Sequence, residues 1–155
     1  MKRLIVSVLF MLAVLFSVSA QQPSVSTSST SLSVTVKRAF AQGDDVCIDL
    51  LVTSHTKWEV VSLHACKVFD DEGNYYVMSS STFQVSDERI DVMIDDKRSC
   101  FLAVAKDIPR KVRVIVRDVD EYATAFTRMD IEWWGERNSG NIVETVIKNL
   151  PITRE

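Results

Sequence analysis

The side chains able to carry bond chemistry are few. His55 and His64 are the only histidines, and the cysteines are Cys47, Cys66 and Cys100. A nucleophilic serine needs a base within hydrogen-bond reach and an acid to orient that base. No serine stands in a Gly-x-Ser-x-Gly elbow, and the Ser79-Ser80-Ser81 run has loop composition. His64 and Cys66 share a strand face, but side chains at i and i+2 lie about 6.5–7 Å apart, too far for a direct hydrogen bond. His64 reads as an ordinary strand histidine. No catalytic signature emerges, and the chain is expected not to be an enzyme.

Metal chemistry fares no better. Asp70-Asp71-Glu72 and Asp118-x-Asp120-Glu121 cluster the oxygen ligands that calcium takes, yet neither has the twelve-residue calcium-loop pattern. They read as acidic turns. Zinc ligation by Cys66 and His64 lacks any paired Cys-x-x-Cys or His-x-x-x-His spacing. No metal and no cofactor are expected. Aromatic rings offer the remaining binding chemistry. Trp133 and Trp134 are adjacent, so in a strand one ring faces the core and the other points outward. Trp58 and Tyr75-Tyr76 stand beside turns. An exposed Trp58, Trp133 or Trp134 would stack on a sugar or grip a peptide; an outward ring covered by the C-terminal segment is the plainer alternative.

The elements that must position these residues follow an export signal. Lys2 and Arg3 precede an apolar run over residues 4–16, and Val18-Ser19-Ala20 supplies the small residues a signal peptidase reads. Residues 1–20 are therefore expected to be removed, with no membrane anchor afterwards, leaving the protein exported, periplasmic or extracellular. No Cys follows the small residues, as lipid attachment would need. The formal net charge of the chain is -3; losing Lys2 and Arg3 leaves 16 basic against 21 acidic side chains, or -5. No run of Lys or Arg forms a basic stripe, so nucleic acid is not expected as a ligand. Residues 21–33 (QQPSVSTSSTSLS) are Ser/Thr-rich and read as a flexible leader.

From residue 34 onward the hydrophobic period is two. Val34 and Val36 alternate with polar residues, a turn follows at Gln42-Gly43-Asp44-Asp45, and Val46, Ile48, Leu50 and Val52 share one face of the next strand. Further strands are expected over residues 60–69, 75–78, 90–94, 100–105, 112–116 and 122–134, with residues 79–88 a polar loop. Residues 141–150 carry helical spacing, but their β-branched side chains suit a strand that returns onto residues 130–134. The pattern predicts one all-β domain over residues 34–155, an antiparallel sandwich of about seven to nine strands. A closed barrel is the alternative.

One stretch carries a family resemblance. Val46-Cys47-Ile48-Asp49-Leu50-Leu51-Val52-Thr53 resembles the long second strand of exported bacterial immunoglobulin-like domains. Val68-Phe69-Asp70-Asp71-Glu72-Gly73-Asn74-Tyr75-Tyr76 is similar to that family's aspartate–glycine–tyrosine turn, and residues 100–116 to its strand, proline turn and valine strand. The likeness spans residues 34–119 and extends to the mycobacterial extracellular immunoprotective antigen and the telomeric-repeat-binding-factor-like domain. It implies an immunoglobulin-like sandwich without a catalytic role. In such a fold the strands of Cys47 and Cys100 would be neighbours, implying a Cys47–Cys100 disulfide with Cys66 unpaired; a hairpin-type Cys47–Cys66 pairing is the alternative. Function is then expected to be that of an exported, non-catalytic binding module with an extracytoplasmic protein partner. A glycan-binding module using the tryptophans is the second reading and a small secreted hydrolase the third.

Overall fold

The computed structural model describes residues 22–56, 60–77, 82–85, 88–91, 100–135 and 142–154. The expected signal peptide and Trp58 lie outside the described residues. Among these residues there is no helix; eleven strands form two antiparallel sheets. That exceeds the expected seven to nine. The excess comes from two segments whose composition suggests no regular structure, residues 21–33 and 79–88.

The first sheet contains β1 (Ser24–Thr27), β11 (Ile142–Pro151), β10 (Ala125–Gly135), β4 (Val60–Asp70) and β5 (Tyr75–Val77), in that order. A further strand, β8 (Cys100–Ala103), pairs with the start of β4. The second sheet runs β2 (Leu32–Gln42), β3 (Asp45–Ser54), β9 (Arg110–Val116), β6 (Thr82–Val85) and β7 (Glu88–Asp91). β11 returns antiparallel onto β10 with Trp134 opposite Ile142 and Asp130 opposite Val146, the strand pairing expected from its β-branched composition. Thr153, beyond β11, bridges Phe40 at the edge of β2, so the C-terminal segment passes from one sheet to the other.

The Ser/Thr-rich leader is not free. Residues 24–27 pair with residues 145–148, Thr27 Oγ1 lies 3.4 Å from Thr145 Oγ1, and Ser28 Oγ accepts the Glu144 amide. An edge strand draws its stability from the backbone ladder and asks little apolar surface of its own side chains. Composition alone is therefore a poor guide to such a segment.

The core lies between the sheets. Val46, Ile48, Leu50 and Val52 of β3 and Val112, Val114 and Val116 of β9 face Cys66, Val68, Phe126, Met129, Ile131, Trp133, Val143, Ile147 and Leu150 of the first sheet, all buried. Burying each large side chain contributes about 1.5–3 kcal/mol. The ladder between β2 and β3 has one irregularity. Its pairing slips between Val36 and Arg38, a bulge at Lys37. Leu32 and Val34 face inward before it and Ala39 after it, so the bulge sends Lys37 and Arg38 to the solvent side.

At one end of the sandwich, Asp70 terminates β4 and is only 3% exposed. Its carboxylate accepts the amides of Glu72 (3.1 Å) and Asn74 (2.7 Å), the Asn74 side-chain amide (2.9 Å) and the Tyr76 hydroxyl (2.7 Å). Tyr76 Oη in turn accepts the Asp120 amide. Gly73, at φ +90, supplies the left-handed residue that closes this turn. Burial pushes the Asp70 carboxyl upward, but these donors outweigh it and hold it below the usual carboxylate range. Asp71 likewise accepts from the Thr124 amide and hydroxyl and the Ala125 amide. The acidic turn is a backbone-fastening device.

Candidate functional site

The solvent face of the second sheet gathers charge that is scattered in sequence. Strand register sets Arg38 of β2 opposite Asp49 of β3, and Asp49 opposite Arg113 of β9. Arg38 Nε donates to Asp49 Oδ2 at 2.8 Å; Arg113 donates to the same carboxylate through Nε (2.6 Å to Oδ1) and a terminal nitrogen (3.1 Å to Oδ2). Burial alone would raise the Asp49 carboxyl, but the two guanidiniums lower it below its ordinary range. Both cations also flank one ring. The Phe40 centroid lies 4.5 Å from the Arg38 guanidinium carbon and 5.3 Å from that of Arg113.

Around this centre lies a groove of about 850 Å³ whose wall carries Lys37, Arg38, Arg110, Lys111 and Arg113 with Asp49 as its carboxylate. A second hollow of about 500 Å³ adjoins it at Arg38 and Arg113, lined also by Phe40, Gln42 and Thr153. Lys37 and Lys111 are exposed and have no ion-pair partner among the described residues. The Arg110 Nε is buried with no hydrogen-bond partner there. On the solvent face four cations, Lys37, Arg38, Lys111 and Arg113, surround one carboxylate, already shared by two of them, on a chain whose net charge is -3; Arg110 alternates with them toward the core side of β9. Such a concavity concentrates positive potential and draws anions. Its volume falls in the range of small-ligand sites.

Cys47 lies under this face. It points away from Ile48 and Leu50, as the strand alternation requires, yet it is 2% exposed. Its thiol donates to Gln42 Oε1 at 3.5 Å. Burial pushes the thiol up despite the nearby Arg113. Cys66, in the inter-sheet core, is raised more strongly by burial. Both are free thiols. The strand adjacency behind a Cys47–Cys100 bridge is not found: β3 lies between β2 and β9, whereas Cys100 begins β8, which pairs with β4 in the other sheet. The Cys100 side chain lies outside the described residues. Cys47 and Cys66 are not bonded to each other: Cys47 alternates to the outer side of β3, whereas Cys66 lies in the inter-sheet core.

The two adjacent tryptophans take opposite faces. Trp133 is 1% exposed and its indole N–H donates to Thr145 Oγ1 at 3.0 Å, so this ring is core and unavailable to a ligand. Trp134 is 41% exposed. It stands on the first sheet, away from the cationic groove on the second. The sequence shows no basic stripe because the stripe is made by pairing. Its visible trace is Lys37-Arg38 and Arg110-Lys111-x-Arg113, two short basic groups far apart in the chain, and only the β2-β3-β9 order joins them.

At the far end of the same face a second group of polar side chains converges. Ser33 Oγ lies 3.0 Å from His55 Nε2, and His55 Nδ1 lies 2.8 Å from Asp107 Oδ1. His64 lies in β4, and its side chain is outside the described residues.

In comparisons with known proteins, no family model matches the chain and no curated protein matches it.

Proposed function

We propose that this chain is an exported binding module of immunoglobulin-like sandwich type, and that its ligand contact is the cationic groove of the second sheet. The supporting observation is the ratio of four solvent-side cations to one carboxylate in a single concavity of an acidic chain. The signal-like residues 1–20 support a place outside the cytosol, and the likeness of residues 34–119 to exported immunoglobulin-like domains supports the sandwich type. The ligand is an acidic segment of an extracytoplasmic partner protein, its carboxylates meeting Lys37, Lys111 and the open edges of Arg38 and Arg113.

A fluorescent Glu-rich decapeptide tests this by fluorescence anisotropy, with its Gln analogue as control. The Glu peptide is expected to bind and the Gln peptide not. Binding weakens as ionic strength rises to about 1 M, where screening acts within about 3 Å. Lys37→Glu with Lys111→Glu lowers affinity roughly tenfold, the sum of two exposed charge reversals. No binding of the Glu peptide at low salt overturns the reading. Binding of an uncharged oligosaccharide that is lost in Trp134→Ala would transfer the function to the glycan reading.

A further inference from the structure

We infer that Ser33, His55 and Asp107 form a nucleophilic relay that cleaves carboxylic esters, with the cationic groove selecting esters that carry negative charge. This goes beyond the binding reading, and only the charge preference rests on it.

The relay has the atom order that acyl transfer needs. Asp107 Oδ1 faces His55 Nδ1 at 2.8 Å, and an ionised carboxylate only accepts, so the ring proton sits on Nδ1. In the neutral ring Nε2 is then the bare acceptor, 3.0 Å from Ser33 Oγ, and the serine hydroxyl donates to it. Three separate segments hold this alignment. Ser33 is ladder-paired with Thr53 inside β2, the His55 amide donates to Ser31 O (2.8 Å), and the Asp107 amide donates to Ser54 O (2.7 Å). Asp107 is held at φ +60, a left-handed conformation that costs a non-glycine residue energy and persists only where surrounding bonds impose it.

Access is open. Ser33 alternates with the buried Leu32 and Val34, so it faces solvent on the groove side of the sheet. The His55 and Asp107 side chains are 43% and 58% exposed. Ser33, His55 and Asp107 stand outside the groove wall, which comes nearest to them in sequence at Pro109, two residues past Asp107. An ester whose charged part lies among Lys37, Lys111 and Arg113 would present its carbonyl toward Ser33.

The chemistry balances. Ser33 Oγ bonds to the ester carbonyl carbon as its proton passes to His55 Nε2. The tetrahedral intermediate collapses, the carbon–alkoxy bond breaks, and the leaving alcohol takes that proton. A water, deprotonated by His55, then attacks the acyl-serine, releasing the acid and restoring the Ser33 hydroxyl. Ser33 and His55 are the catalytic residues and Asp107 is a positioning residue.

The purified exported protein, treated with a fluorophosphonate probe and mapped by mass spectrometry, is expected to be labelled at Ser33. His55→Gln lowers the labelling rate by about 10²–10⁴-fold, the span of general-base assistance. Asp107→Asn, which tolerates the left-handed turn, lowers kcat on p-nitrophenyl acetate with little change in KM and in thermal midpoint. A purely structural Asp107 would move the midpoint and leave kcat alone. Absence of Ser33 labelling, or equal labelling in His55→Gln that unfolds like the parent, overturns the relay. The anionic p-nitrophenyl hemisuccinate is expected to be the better substrate, by a factor that Lys37→Glu with Lys111→Glu removes. Equal rates on both esters would overturn the substrate class, while Glu-peptide binding tests the groove separately.

Discussion

Asp70 and Asp49 each sit at the centre of a polar network, and they end in opposite conditions. Asp70 is nearly buried and all its donors come from its own turn and Tyr76, so nothing is left to offer a ligand. Asp49 is bound by two guanidiniums whose outer edges still face a groove, with the Arg38 side chain 61% exposed. Donors from the local backbone make a carboxylate a fastener. Donors from long cationic side chains on neighbouring strands make it a brace that keeps positive charge in place at a surface.

Removing each carboxylate sharpens the contrast. Asp70→Ala orphans two amides, an Asn side chain and a tyrosine hydroxyl, and is expected to cost about 2–4 kcal/mol in urea unfolding. A loss below about 1 kcal/mol would show the turn to be held by other means. Acid separates the wild type from Asp70→Asn next. The folded Asp70 carboxyl titrates below the ordinary value of 3.8, so its stabilisation is fully present above that value and is lost as pH falls through the lower folded one. The stability gap between the two proteins should hold steady from neutral pH to about pH 5 and close below the usual carboxylate range. A gap that widened in acid would reverse the sign and refute the hydrogen-bond account.

Asp49→Ala is the smallest effect on folding, about 0.5–1 kcal/mol, because its cations are solvent-screened. Its readout is binding. With the carboxylate gone the groove gains one net positive charge, and the Glu-rich peptide should bind more tightly unless Arg38 and Arg113 lose their alignment over Phe40. Weaker binding would mean that placement of the guanidiniums outweighs charge count.

Much of the fold is legible in the sequence because it follows period and turn chemistry. The alternation Val46, Ile48, Leu50, Val52 identifies β3 and its buried face, and Gly43 and Gly73 mark left-handed turns. The return of β11 onto β10 follows from β-branched residues beyond a loop. The leader and residues 82–85 escape such a reading, since edge and short strands lean on backbone pairing that composition does not report. For the site, His55 is visible as one of two imidazoles, but its partners lie 22 and 52 positions away and no local motif links them.

The all-β class, the inward faces of the long strands and the acidic turn are written in local sequence, because they depend on neighbours within a few residues. Which charges meet depends on how distant strands pair. Strand order and register set Lys37, Arg38, Lys111 and Arg113 around Asp49, placed Cys47 and Cys100 in different sheets, and brought Ser33, His55 and Asp107 into line. Side chains across a sheet meet through hydrogen bonds between distant backbone segments, and those pairings are chosen by the shared core rather than by any one strand.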